Sequence, residues 1–242
     1  MNITNKTVLI TGGGSGIGLE IAKQLSAKNN KVIITGRTAD KLQKAAEGLA
    51  NVTAIATDVT NADNVKQLVA TIKSDFGGLD ILINNAGHTY VYNLDASANA
   101  AEKAREEFDT NFFSILNLTE QLLPALTASP EAAIVNVSSI LALTPRHTLP
   151  TYSASKAALH SYTQALRFAL KATNVKVFEL MPPLVNTEFS KEIGGENGIP
   201  PSTVADDLIN AFEKDEYEIH VGNTAHVYGL SPVDAFKMVN EG

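Results

Sequence analysis

Short β-branched runs alternate along the chain with stretches in which apolar residues recur at helical spacing. Residues 8–10, 31–35, 52–57, 79–83, 132–137, 175–180 and 218–221 each read as a strand, and most are apolar on both faces. Between them, Leu19, Ile21, Ala22 and Leu25 mark one helix, a second begins near Thr38, and Val65, Leu68, Val69 and Ile72 mark a third within 61–76. A helix over 100–128 is unusually apolar in its second half, which calls for burial on more than one side. Later helices run from Tyr152 through Leu159, Leu166 and Leu170, over 202–214, and around 233–239. Strands buried on both faces, each followed by a helix, predict an α/β fold: one doubly wound domain over 1–242 with a parallel sheet flanked by helices. The segment 188–201, rich in glycine and charge and without periodicity, reads as a mobile loop, and 223–242 as a C-terminal tail.

Composition narrows the ligands. The net charge is −7 and no dense Lys/Arg cluster is present, which argues against nucleic acid or an anionic membrane as the main partner. There are no cysteines, so disulfides, thiolate metal sites and a cysteine nucleophile are excluded. No metal site is expected. No run approaches the ~20 apolar residues of a membrane span, and the N-terminus lacks a cationic start followed by an apolar region. The expectation is a cytoplasmic protein acting on small molecules.

Two stretches carry chemistry. The run 8–10 enters Thr11-Gly12-Gly13-Gly14-Ser15-Gly16-Ile17-Gly18 and leaves as a helix. Glycines let the main chain approach a ligand closely, and the helix offers free N–H groups to a pyrophosphate, although the spacing differs from GxGxxG and a plain tight turn has the same look. At the end of the second strand, where a carboxylate would accept from the ribose of NAD, stand Gly36 and Arg37. That favours NADP over NAD if Arg37 is more than a solvated charge; Ser15 stands where a second basic residue would strengthen the case. Thr38 suits either a phosphate or a helix cap, and Asp58 either a ligand or a turn. In Thr151-Tyr152-Ser153-Ala154-Ser155-Lys156, the helical repeat places a phenol and an ammonium on one face. A neighbouring positive charge favours the phenolate, which makes the pair an acid–base device, though YxxxK also arises by chance on solvated helices.

TGGGSGIG, Asn84-Asn85-Ala86-Gly87, Asn111, Ser139, Tyr152-x-x-x-Lys156 and a modified proline motif, in this order over almost the whole chain, resemble the short-chain dehydrogenase/reductase family. The N-terminal third is also similar to bacterial DltE-type oxidoreductases. The resemblance implies a seven-stranded Rossmann sheet, usually a homodimer or homotetramer built through the helices that hold residues 112–123 and 152–170. It implies an NAD(P)-dependent oxidoreductase acting on a carbonyl or a secondary alcohol. Tyr152 would be the general acid, Lys156 would lower its pKa and bond the nicotinamide ribose, Ser139 would polarise the carbonyl, and Asn111 would hold a water linking Lys156 to solvent. Gly12, Ser15, Ile17 and Gly18 would meet the pyrophosphate, Asp58 and Val59 the adenine, Asn85, Ala86 and Gly87 the central ribose region, and Val185 and Thr187 the carboxamide. Pro183 departs from the family's glycine and removes a backbone N–H near those last contacts. His88, Tyr90, His147 and Met181 are candidates for the substrate pocket, each equally explained by loop or packing roles. The rival reading is a dinucleotide-binding regulator or redox sensor that keeps the fold without turnover.

Overall fold

Why the chain folds as it does is visible first in its strands. A computed structural model describes residues 1–241. The strands β1 (Thr7–Thr11), β2 (Lys31–Gly36), β3 (Val52–Ala56), β4 (Ile81–Asn84), β5 (Ala132–Val137), β6 (Val175–Met181) and β7 (Glu218–His220) form one sheet in the order β3-β2-β1-β4-β5-β6-β7. Every pairing is parallel. Strand side chains alternate between two cores: Val8 and Ile10 face one, Leu9 the other, and Val32 and Ile34 are likewise split from Ile33. The first core is closed by α1 (Gly16–Ala27), α2 (Ala39–Ala46) and α7 (Pro201–Lys214), through Ile21, Leu25, Leu42, Leu208 and Phe212. The second is closed by α3 (Ala62–Asp75), α5 (Ser114–Ala128) and α6 (Pro150–Ala169), through Leu68, Ile72, Leu118, Leu122 and Leu166. Strand order reverses between β1 and β4, so the crevice for a ligand opens beyond their carboxyl ends.

Three local differences from the sequence reading matter. The region 100–128 is not one α-helix: α4 (Ala100–Phe108) and α5 are joined by a π-helical turn, Asp109–Phe113. A π turn inserts one residue without breaking the helical column, so apolar spacing hardly registers it. The segment 188–201 carries two 3-10 helices, Glu188–Ile193 and Gly195–Asn197, and its base is pinned by a parallel bridge between Val185 and Ile199. The tail contains α8 (Thr224–Tyr228) and α9 (Pro232–Glu241) and is structural: Val227 and Ala235 are buried in a third apolar cluster with Leu141, Leu149 and Tyr152. Among the described residues, no helix is long and apolar enough to cross a membrane.

Candidate active site

Pro150 at the first turn of α6, with its fixed φ, starts the helix two residues before Tyr152. One turn on, Lys156 follows on the same face, and both side chains are buried. The Lys156 ammonium donates to the Val137 carbonyl at 2.8 Å and lies 5.7 Å from the Tyr152 ring centre. Ser139 leaves β5 in extended conformation and caps a 3-10 turn, its Oγ accepting the Leu141 N–H at 3.1 Å. Tyr152, Lys156 and Ser139 line one cavity of about 390 Å3.

The electrostatics of the pair differ from the expectation that Lys156 lowers the tyrosine's pKa. Burial drives Tyr152 upward, the Ser139 hydroxyl opposes that shift, and the charge of Glu107 adds to it. Burial also drives Lys156 down, to about 8, against the pull of Glu179. Desolvation penalises both charged forms and so favours the protonated phenol. A phenol that stays protonated is suited to donate.

Asn111 sits in the π turn, fully buried, and its amide clamps the chain after β4. Its Oδ1 accepts the His88 N–H at 2.8 Å, and its Nδ2 donates to the His88 carbonyl and the Ser155 hydroxyl, both at 2.9 Å. Ser155 in turn donates to the Tyr152 carbonyl at 2.7 Å. The side chain is thus committed to His88 and α6, and no hydrogen bond joins it to Lys156. Asn111→Ala leaves the part-buried N–H and carbonyl of His88 without their partner and is expected to cost about 1–3 kcal/mol of stability. Urea denaturation measures this, and a variant as stable as the parent would contradict the clamp.

The glycine turn forms the floor of the same crevice. Gly12 and Gly16 adopt positive φ, and Gly12 packs so closely that a Cβ there would lie 3.0 Å from Ala86 Cα. Asn85 holds the turn by donating from Nδ2 to the carbonyls of Thr11 and Gly12, at 3.0 and 3.2 Å. Ser15 precedes α1 with an uncommitted hydroxyl. Gly12, Ser15, Ala86 and Gly87 border both the catalytic cavity and a second one, so the two form a continuous cleft. Ile17, Val185 and Thr187 line the catalytic half; Arg37, Thr38, Asp58 and Val59 line the other. Gly18 borders neither half and packs behind the turn against Gly12 and Asn85. Thr38 makes no side-chain cap bond, while Asp58 accepts from the Thr60 N–H and hydroxyl and so serves its turn as well as the cleft.

Of the substrate-pocket candidates, none lies in the catalytic cavity. His88 and Tyr90 border the far half, His147 is held at the surface by Asn240, and Met181 is fully buried in β6. Much of the lining around Tyr152 is instead apolar, with Leu141, Leu149, Phe189, Val227, Met238 and Val239, while Arg146, Glu188 and Asn223 also border the cavity. The Phe189 ring stands 6.0 Å from that of Tyr152. Sequence reading passed over Lys41, which lines the far half beside Arg37 and Thr38. Its signal was the spacing: three residues after Thr38, it falls on the same helical face. Among the described residues, no cluster of three or more metal-ligating side chains occurs.

A parallel sheet with a glycine turn at its switch point, leading to a buried Tyr–Lys–Ser set, defines a nucleotide-binding α/β oxidoreductase. The chain belongs to the short-chain dehydrogenase family, whose sequence model (short chain dehydrogenase) matches residues 6–198. It is 38% identical over 199 residues to "Uncharacterized oxidoreductase DltE" of Bacillus subtilis (strain 168), covering 82% of this chain and 79% of that one. "Uncharacterized oxidoreductase SA2266" of Staphylococcus aureus (strain N315) is 32% identical over 219 residues, 89% of this chain and 94% of that one. Among solved structures, a short chain dehydrogenase from Burkholderia cenocepacia J2315 in complex with NADP superposes with a TM-score of 0.84 at 27% identity, covering 94% of this chain and 93% of that one. One from Burkholderia phymatum in complex with NAD shares the fold with a TM-score of 0.85 at 23% identity, covering 90% and 89%.

Proposed function

We propose that the chain is an NADP-dependent reductase of small carbonyl compounds, or the reverse dehydrogenase of secondary alcohols, with Tyr152 as its general acid. The observation that carries this reading is the shared cavity: a buried, protonated phenol, the Ser139 hydroxyl and Lys156 border the same space as the nucleotide-facing glycine turn and an apolar wall. The cleft fits the cofactor, because it is floored by close-packed glycines, faced by the uncommitted Ser15 hydroxyl and flanked at its far end by Arg37 and Lys41. The relative solved with NADP supports the choice, and the one solved with NAD shows that the fold accepts either.

Gly12, Ser15 and Ile17 would hold the pyrophosphate, Arg37 and Thr38 the 2′-phosphate, and Lys156 the nicotinamide ribose. When bound, NADPH supplies a hydride. Tyr152 gives its phenolic proton to the carbonyl oxygen as negative charge develops there, and the Ser139 hydroxyl donates a hydrogen bond to the same oxygen. The apolar part of the lining favours substrates whose substituents are themselves apolar. Val185 and Thr187 would meet the carboxamide, and Pro183, which lines the same cavity, offers no N–H there. Assembly into a dimer or tetramer belongs to the same reading, supported by Phe113 of the π turn and Phe168 of α6, which are 54% and 70% exposed.

NADPH oxidation measured against a panel of ketones and aldehydes tests the activity. For cofactor choice, Arg37→Ala is expected to weaken NADPH binding by about tenfold or more, the order of one charge-assisted hydrogen bond, while NADH binding changes little. Equal losses for both cofactors would refute the role of Arg37.

A further inference from the structure

Beneath the catalytic set lies a fully buried carboxyl group that the reaction above does not use. Glu179 stands in β6, with Asn136 of β5 and Glu218 of β7 as its register partners. Its Oε1 accepts the Ser138 hydroxyl at 2.5 Å, and its Oε2 faces His160 Nδ1 of α6 at 2.9 Å. The far nitrogen of His160 is 3.2 Å from the Gln164 amide at the surface. Ser138 is bound on the other side as well: its N–H donates to the Leu180 carbonyl at 2.9 Å, and the carbonyl of the same Val137–Ser138 peptide receives the Lys156 ammonium. One peptide unit therefore joins the catalytic lysine to a chain of groups that ends at the protein surface.

We propose that Glu179, linked to Ser138 and His160, is a positioning residue that keeps Lys156 charged and transmits the protonation of the surface imidazole to it. Burial disfavours the ammonium, and a neutral Lys156 lacks the positive charge that favours ionisation of a neighbouring phenol; Glu179 provides the charge that opposes this. Other groups facing the pair are few. On α6 they are Tyr152, His160 and Arg167; from the β7 side come Glu218 and His220, with Glu216 beside the latter. Arg167 is already paired with Glu218 at 2.9 Å, and His220, stacked on Tyr228, is pushed by burial towards its neutral form. His160, whose hydrogen bond to Glu179 holds its pKa above the ordinary value, is the member of the chain of groups whose ring reaches the surface and can exchange its proton there. With His160 protonated, part of the Glu179 charge is neutralised and Lys156 is held less firmly; with His160 neutral, the full charge acts.

This inference rests on the proposed reductase reading only for its catalytic consequence, so its test has an arm that needs no turnover. Protein labelled with 13C at lysine Cε is titrated by NMR, the Lys156 signal being identified by its loss in Lys156→Arg. In the parent protein, the signal is expected to show its own midpoint and a second, smaller inflection from His160. Glu179→Gln keeps both hydrogen-bonding positions and removes the charge; it is expected to lower the midpoint by about one pH unit or more and to erase the inflection. At the unperturbed midpoint of about 8, the charged fraction then falls from half to about a tenth, and the alkaline limb of NADPH oxidation moves down by the same amount. His160→Gln is expected to remove the inflection alone, and it carries the test should Glu179→Gln fail to fold. A midpoint unchanged in Glu179→Gln, or an inflection that persists in His160→Gln, would overturn the proposal. A protein that shows the NMR shifts but reduces no carbonyl would sink the reductase reading and leave the coupling standing.

Discussion

Tyr152→Phe is expected to lower carbonyl reduction by roughly 10²–10⁴-fold while leaving the fold and NADPH binding nearly intact, because the substitution removes the proton donor and nothing else. The ring is what packs: Tyr152 is buried with Leu141, Leu149, Val227 and Ala235, and its ring faces Phe189. Phenylalanine keeps those contacts. The hydroxyl, by contrast, is the group that burial holds protonated, next to the Ser139 hydroxyl. Steady-state turnover, NADPH titration by fluorescence and a thermal melt together make the check. Turnover undiminished in the variant would remove Tyr152 from the mechanism, and a large fall in melting temperature would show that the hydroxyl served the core instead.

Gly18→Ala is expected to destabilise the protein by about 1–3 kcal/mol and to weaken NADPH binding by about tenfold or more, although Gly18 borders neither half of the cleft. The reason is space. A Cβ at Gly18 would lie 2.6 Å from the Gly12 carbonyl oxygen and 2.5 Å from Asn85 Nδ2, and the first of these is backbone. Relief requires the glycine turn to move away from α1, which breaks the hydrogen bonds from Asn85 to the Thr11 and Gly12 carbonyls and displaces the N–H groups that face the pyrophosphate site. Urea denaturation and NADPH titration measure the two effects. Unchanged stability and binding would mean that the turn yields freely. In the proposed reading Gly18 supports the glycine turn from behind, where the family resemblance implied direct contact.

The sequence by itself determined everything that depends on neighbours within about one helical turn. Alternating buried runs and helical spacing specified seven strands and the order of helices, and parallel pairing followed from strands apolar on both faces. Tyr152 and Lys156 shared a face by helical geometry alone, and Gly12 to Gly18 announced a close-approach turn by composition. Tertiary structure decided what those residues experience. The π turn that buries Asn111 inserts a residue without changing the apolar pattern, so the clamp on His88 was invisible. Met238 and Val239 resemble any amphipathic helix until the chain folds back and makes them a wall of the catalytic cavity. Glu179 looks like a strand-end charge, and only the packing of β6 beneath α6 places it between Ser138 and His160. Protonation is the clearest case: the charge on Lys156 argues for a lowered tyrosine, but desolvation depends on every element that covers the pair. Burial pushes Tyr152 up and Lys156 down, towards the neutral form of each, because burial is a property of the whole fold and spacing a property of the chain.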